Sequence, residues 1–249
     1  MTHQDETTSA TTIPTQRMDL HQAVAELQQQ IGELQHAAHV PETVGPAPTG
    51  VLIGAGSDPL MLGLPAFVVG WTCVGLALVG VVPVGAIGGI VPILLLGTAV
   101  FQLLSAVWAF LLGQSLVAEI FGLFSGIAFS LSILLLGLNH NWFAIPVADV
   151  SGVEALFTIS WAIVFLFLTW IMLDLPAVYV GLMVFVLVAL SLLSAAFLTG
   201  NSNLLIAGGA AVLAFTAFGV YAWLNVAAEA GGRTGWPPLG PALGPALRK

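Results

Sequence analysis

From residue 60 onward the chain alternates long apolar runs with short joints rich in polar residues and helix breakers. The runs predict six helices, over roughly 60–82, 86–112, 116–138, 153–173, 176–198 and 204–228. Each holds about 20 residues or more, the length a helix needs to cross the bilayer hydrocarbon. The joints carry the residues that stop helices: Pro83, the Gly113-Gln114-Ser115 turn, the 139–152 loop, Asp174-Leu175-Pro176 and Gly200-Asn201-Ser202-Asn203. The expected fold class is an all-α membrane protein with six transmembrane helices over residues 57–230.

The flanks read differently. Residues 1–50 are polar, with no short apolar segment near the start, so no signal peptide is expected. Residues 1–16 are Thr-rich and polar, a composition that predicts disorder. Within residues 18–36, Leu20, Val24, Leu27, Ile31 and Leu34 recur at spacings of 4, 3, 4 and 3. That is a short heptad seam with Leu at d positions. It predicts either a coiled coil that helps to hold protomers together or a single amphipathic helix. Residues 40–56, rich in Pro, Gly and Ala, read as a linker. A second tail covers residues 231–249.

Composition agrees with the membrane reading. Hydrophobic residues make up 58% of the 249 and charged residues only 6%, against about 25% in soluble domains. The net charge of −8 and the total of four Lys and Arg exclude a nucleic-acid surface. Those four are Arg17, Arg233, Arg248 and Lys249. Three of them follow the last span, so the positive-inside rule places that tail in the cytoplasm. Six spans then place the N-terminus there too, and the 139–152 loop outside.

One regularity runs through the apolar region. Gly63-Leu64, Gly122-Leu123 and Gly181-Leu182 are 59 and 59 residues apart, near the starts of spans one, three and five. Such spacing fits three helix hairpins of common origin, which around an axis would leave a central path; the abundance of Gly and Leu leaves chance as the alternative.

Little in the sequence suggests catalysis, and no cofactor or metal is expected. His3, His21, His36, His39 and His140 all lie outside the predicted spans, and no known hydrolase or phosphate-binding motif occurs. Cys73, within the first span, reads as a small apolar side chain. The acidic residues near the membrane are Asp58, Glu119, Asp149, Glu154 and Asp174. Asp58 before Pro59 reads as a helix cap, and Asp174 before Leu175-Pro176 admits the same reading. Glu119 stands at or inside the start of span three, where an ionisable group usually lines a pathway or pairs. With no cation inside any span, an anion there would be met by helix N-termini, hydroxyls or a proton.

Asp58, Pro59, Leu62, Gly63 and Leu64, in "DPLMLGL", resemble the N-P-A-P-L-G-L signature of the acetate uptake transporter family, the succinate–acetate permeases. Gln102 and Gly113, "IFGLFSG" at 120–126, "LTGNSNLLIAGG" at 198–209, Tyr221 and "GGRTGWPPLG" at 231–240 fit further family segments in order. The resemblance implies six spans per protomer, a homo-hexamer, and passage of acetate and related small carboxylates, succinate included, by proton symport or channel-like conduction. It also implies a constriction in each protomer's own path. The positions are Phe67, Phe124 (where the family has a Tyr hydroxyl) and Leu187 or Val186. Departures are Asp58 for the family Asn, Ala109 for a family acid, and Glu119 for a neutral residue. Proton handling is therefore expected at Asp58 or Glu119. The alternatives are a channel for neutral solutes such as urea or amides, and a non-transporting membrane sensor or scaffold that uses the heptad tail.

Overall fold

A computed structural model describes residues 25–30 and 56–244. The chain divides into two units, residues 1–51 and 52–249. In the first, residues 25–30 are helical and exposed, Leu27 among them. The remaining seam positions, Leu20, Val24, Ile31 and Leu34, lie outside the described residues, as do all but the last residue of the linker, and Arg17, Arg248 and Lys249.

The second unit is a multi-pass membrane protein with six apolar spans. The first is α1, Leu60–Leu78. The second, Gly85–Leu111, is not one plain α-helix. It starts as 3-10 turns over Val84–Ile90, passes through a π-helical stretch at Ile93–Ala99, and becomes α-helical only in α2, Val100–Leu111. Gly85, Gly88, Gly89 and Pro92 account for the irregular start. Glycine disfavours the helix by about 1 kcal/mol per residue and proline lacks a donor. The third span is α3, Ser115–Asn139. The fourth, α4, Val150–Ile171, is flanked by 3-10 turns at Val147–Asp149 and Met172–Asp174. Asp174 thus closes the fourth span, where the sequence suggested a cap for the fifth. The last two are α5, Ala177–Thr199, and α6, Ser202–Ala230. Gly113 (φ +75°) and Gly200 (φ +67°) make the left-handed turns that end spans two and five. Asn201 then accepts the N–H of Asn203 at 3.0 Å and starts α6.

α1 packs along α6, α6 along α5, and α5 along α4; the second span packs against α1 and α3. Spans one and two, and five and six, therefore form close hairpins. Spans three and four part along an open apolar groove of about 670 Å3 that reaches Phe129 and Trp161. The Gly-Leu repeat shows the same inequality. A Cβ on Gly63 would run into the Phe121 ring and one on Gly181 would lie 2.8 Å from Phe218, whereas one on Gly122 meets only ordinary contact with Ala106 at 3.9 Å.

Hydroxyls tie the spans together without adding charge. Thr98 donates to the carbonyl of Ala66 (2.9 Å), joining spans two and one, and Ser125 donates to that of Ala99 (2.8 Å), joining spans three and two. Large apolar side chains such as Phe110, Leu166 and Trp170 point outward. Lipid accepts that surface and water would not.

Candidate functional site

Five aromatic rings converge mid-span. Phe67 and Trp71 come from α1, Phe124 from α3, Phe165 from α4 and Phe215 from α6. All are buried. Phe67 meets Phe124 at 5.0 Å and Phe215 at 5.7 Å between centroids; Trp71 meets Phe124 at 6.1 Å and Phe215 at 5.6 Å. Phe165 backs Phe124 at 4.9 Å. Gly219 makes room for the first ring, since a Cβ there would lie 2.6 Å from Phe67.

On one side of this cluster lies a cavity of about 360 Å3 whose wall draws on all six spans. Trp71, Phe124, Val186 and Phe215 line the end that meets the ring cluster. The wall then follows the C-terminal halves of α1, α3 and α5 and the N-terminal parts of the second span, α4 and α6. It therefore extends toward the end of the bundle that carries the 139–146 loop. It is almost wholly apolar; Glu154 and Thr158, one helical turn apart on α4, are the polar exceptions apart from the Trp71 indole nitrogen. Ser194 of α5 donates to the Thr158 hydroxyl at 2.8 Å. Beyond the rings, toward the other end, Leu64, Phe121, Ala222 and Val226 form a second buried cluster.

The residues named from the sequence fall into three places. Phe67 and Phe124 touch in the ring cluster. Of the two choices in span five, Val186 lines the cavity, while Leu187 is half-buried against the core. The "DPLMLGL" motif sits at the end opposite the cavity. There Pro59 adopts helical dihedrals (φ −56°, ψ −26°), and the Asp58 carboxylate accepts the N–H of Leu60 at 2.8 Å. The capping reading of Asp58 thus describes its geometry. Pro59, Gly63 and Leu64 are buried and Leu62 half-buried. Glu119 is exposed on α3 and does not line the cavity. Cys73 is free and half-buried. Among the described residues, no group of His, Cys, Asp and Glu is placed to hold a metal.

Sequence reasoning passed over Trp71, Phe165, Phe215 and Glu154. Trp71 was within reach, because it follows Phe67 by one turn on the same face. Phe165 and Phe215 carry no local signal, since many aromatics in these spans face outward. Glu154 was named only among the acids near the membrane, at the very start of a span expected over 153–173. The helix begins at Val150, which carries Glu154 inside the span.

Five interior side-chain polar atoms among the described residues also stand out. Both polar side-chain atoms of Gln102, Ser105 Oγ and the indole nitrogens of Trp71 and Trp108 are buried without a hydrogen-bond partner. Groups of this kind are uncommon in folded proteins and ask for a visiting partner.

The fold has a solved counterpart. The structure of the bacterial acetate channel SatP matches with a TM-score of 0.65 at 20% identity, covering 73% of this chain and 98% of that one. Among curated proteins, none matches the sequence. The GPR1/FUN34/yaaH family model matches residues 48–232, most of the chain and all six spans. The chain belongs to that family.

Proposed function

We propose that this protein conducts acetate and related small carboxylates across the cell membrane, through a separate path in each protomer of a homo-hexamer, with both termini in the cytoplasm. The observation that carries the reading is the apolar cavity bounded by all six spans and ending on Trp71, Phe124, Val186 and Phe215. In a member of this family whose fold is shared with an acetate channel, such a cavity is the natural permeation path. Phe67 and Phe124, with Val186 as the span-five position, form the constriction. A dry ring of this kind blocks hydrated ions because they cannot shed water there. A small carboxylic acid, whose methyl group suits an apolar wall, passes when the rings part. In the closed arrangement the path is shut on the "DPLMLGL" side.

Uptake of labelled acetate into liposomes holding the purified protein, with and without an inward proton gradient, tests the proposal. Uptake above that of protein-free liposomes supports it, and acceleration by the gradient supports proton coupling. Flux of urea or acetamide without acetate flux would favour the neutral-solute channel, to which the absence of a cation from the cavity wall lends some support.

A further inference from the structure

The cavity wall carries one ionisable side chain, Glu154, and no cation among the described residues neutralises it. Its carboxylate has no hydrogen-bond or ion-pair partner among the described residues. The walls contributed by α1, the second span, α3, α5 and α6 bring no titratable or charged group toward it. On its own helix Thr158 is the polar neighbour, and the next acid is Asp149, at the N-cap. His140 is exposed and stacks on Trp142 in the preceding loop, 5.7 Å between centroids.

Resting on the carboxylate reading above, we infer that Glu154 makes loading of this cavity proton-linked: the substrate carboxylate and Glu154 occupy it together only when they share one proton. Two anions a few ångströms apart in an apolar enclosure repel strongly, because low dielectric leaves the repulsion unscreened. One proton between them removes the repulsion and forms a charge-assisted O–H···O⁻ bond. It can arrive on either partner, so the pair titrates as a unit. When the acid leaves through the rings as a neutral molecule it takes the proton with it, and Glu154 returns to its charged form. No covalent step is involved. The same device discriminates against dicarboxylates, whose second charge stays unpaired in a wall without cations. Glu154 is thus a selectivity residue distinct from the aromatic constriction.

The test is the pH dependence of labelled acetate binding to the purified protein in detergent, which reads loading apart from passage through the rings. Between about pH 6 and pH 8 acetate stays almost wholly anionic, because carboxylic acids titrate near about 4. Wild-type affinity is expected to weaken by roughly tenfold per pH unit toward the alkaline end, the slope of a single-proton requirement. Glu154→Gln removes the charge and keeps a donor for the anion, so its affinity stays level over the same range; Glu154→Asp keeps the wild-type slope. Glu154→Ser, small and neutral, repeats the experiment should the glutamine variant fold poorly. A glutamine variant with the wild-type slope overturns the inference and leaves the carboxylate reading standing. So does one that purifies intact yet binds no acetate. Absence of protein-dependent acetate uptake by wild-type proteoliposomes overturns both.

Discussion

The rings of Phe67 and Phe124 meet edge to face, their planes at 90° and their centroids 5.0 Å apart. This is the favourable quadrupolar arrangement, and it joins the first and third spans beside the cavity. Truncating one ring should widen the constriction proposed there and loosen the bundle together. For Phe124→Ala the stability loss is expected at about 3–5 kcal/mol, read as a lower thermal midpoint in detergent. The functional sign is a rise in succinate uptake relative to acetate. A variant that loses stability but keeps the wild-type ratio would remove Phe124 from the constriction.

Gly219 faces the same ring from α6. A methyl group there would lie 2.6 Å from Phe67, closer than real side-chain contacts allow. Gly219→Ala must push the ring or part α1 from α6, with an overpacking cost of about 1–3 kcal/mol. Acetate uptake should slow, because Phe67 has nowhere to go but toward the path. Gly85→Ala is the matched control, since a Cβ there meets nothing within 4 Å, and its uptake should equal wild type.

The six spans were legible because a run of about 20 apolar residues has few other fates. Their faces were not. In a span that is apolar all round, Phe110, which points outward, and Phe124, which is buried, look alike in sequence. Periodicity separates water from core, but not lipid from core. Phe67 and Phe124 were therefore reached through resemblance, and Trp71, Phe165 and Phe215 only once the helices were placed. The second span was read as one helix over 86–112 because its apolar character is continuous, while its dense glycines and Pro92 change the backbone beneath. Glu119 and Glu154 show the same limit. Each stands near the start of a helix, yet one faces outward and the other lines the cavity.

Gln102 is fully buried, with neither its amide oxygen nor its nitrogen paired. Leaving such groups unpaired costs about 1–3 kcal/mol. Gln102→Met, similar in length and apolar, should therefore raise the thermal midpoint. If the amide serves passing solute or water, acetate uptake falls in the same variant. A midpoint that drops instead would mean that Gln102 already has a partner in the resting protein.

The C-terminal segment fastens the end of the bundle opposite the cavity. The first N–H groups of α5 have no partners within the helix. Ala177 and Val178 instead donate to the carbonyls of Pro241 and Leu239, each at 3.1 Å. Two side chains of α6 hold that segment in place: Asn225 donates to the carbonyl of Pro237 at 2.9 Å and Tyr221 to that of Pro238 at 3.0 Å. Asn225 is buried, so Asn225→Leu strands the Pro237 carbonyl and should cost about 1–3 kcal/mol. Tyr221→Phe, at a more exposed bond, should cost about 1 kcal/mol or less. Because both act through one segment, their combination should cost less than the two losses added. Thermal midpoints of the single and double variants in detergent check this. Strict additivity would mean that each bond is held independently and that residues 237–241 do not act as one strap.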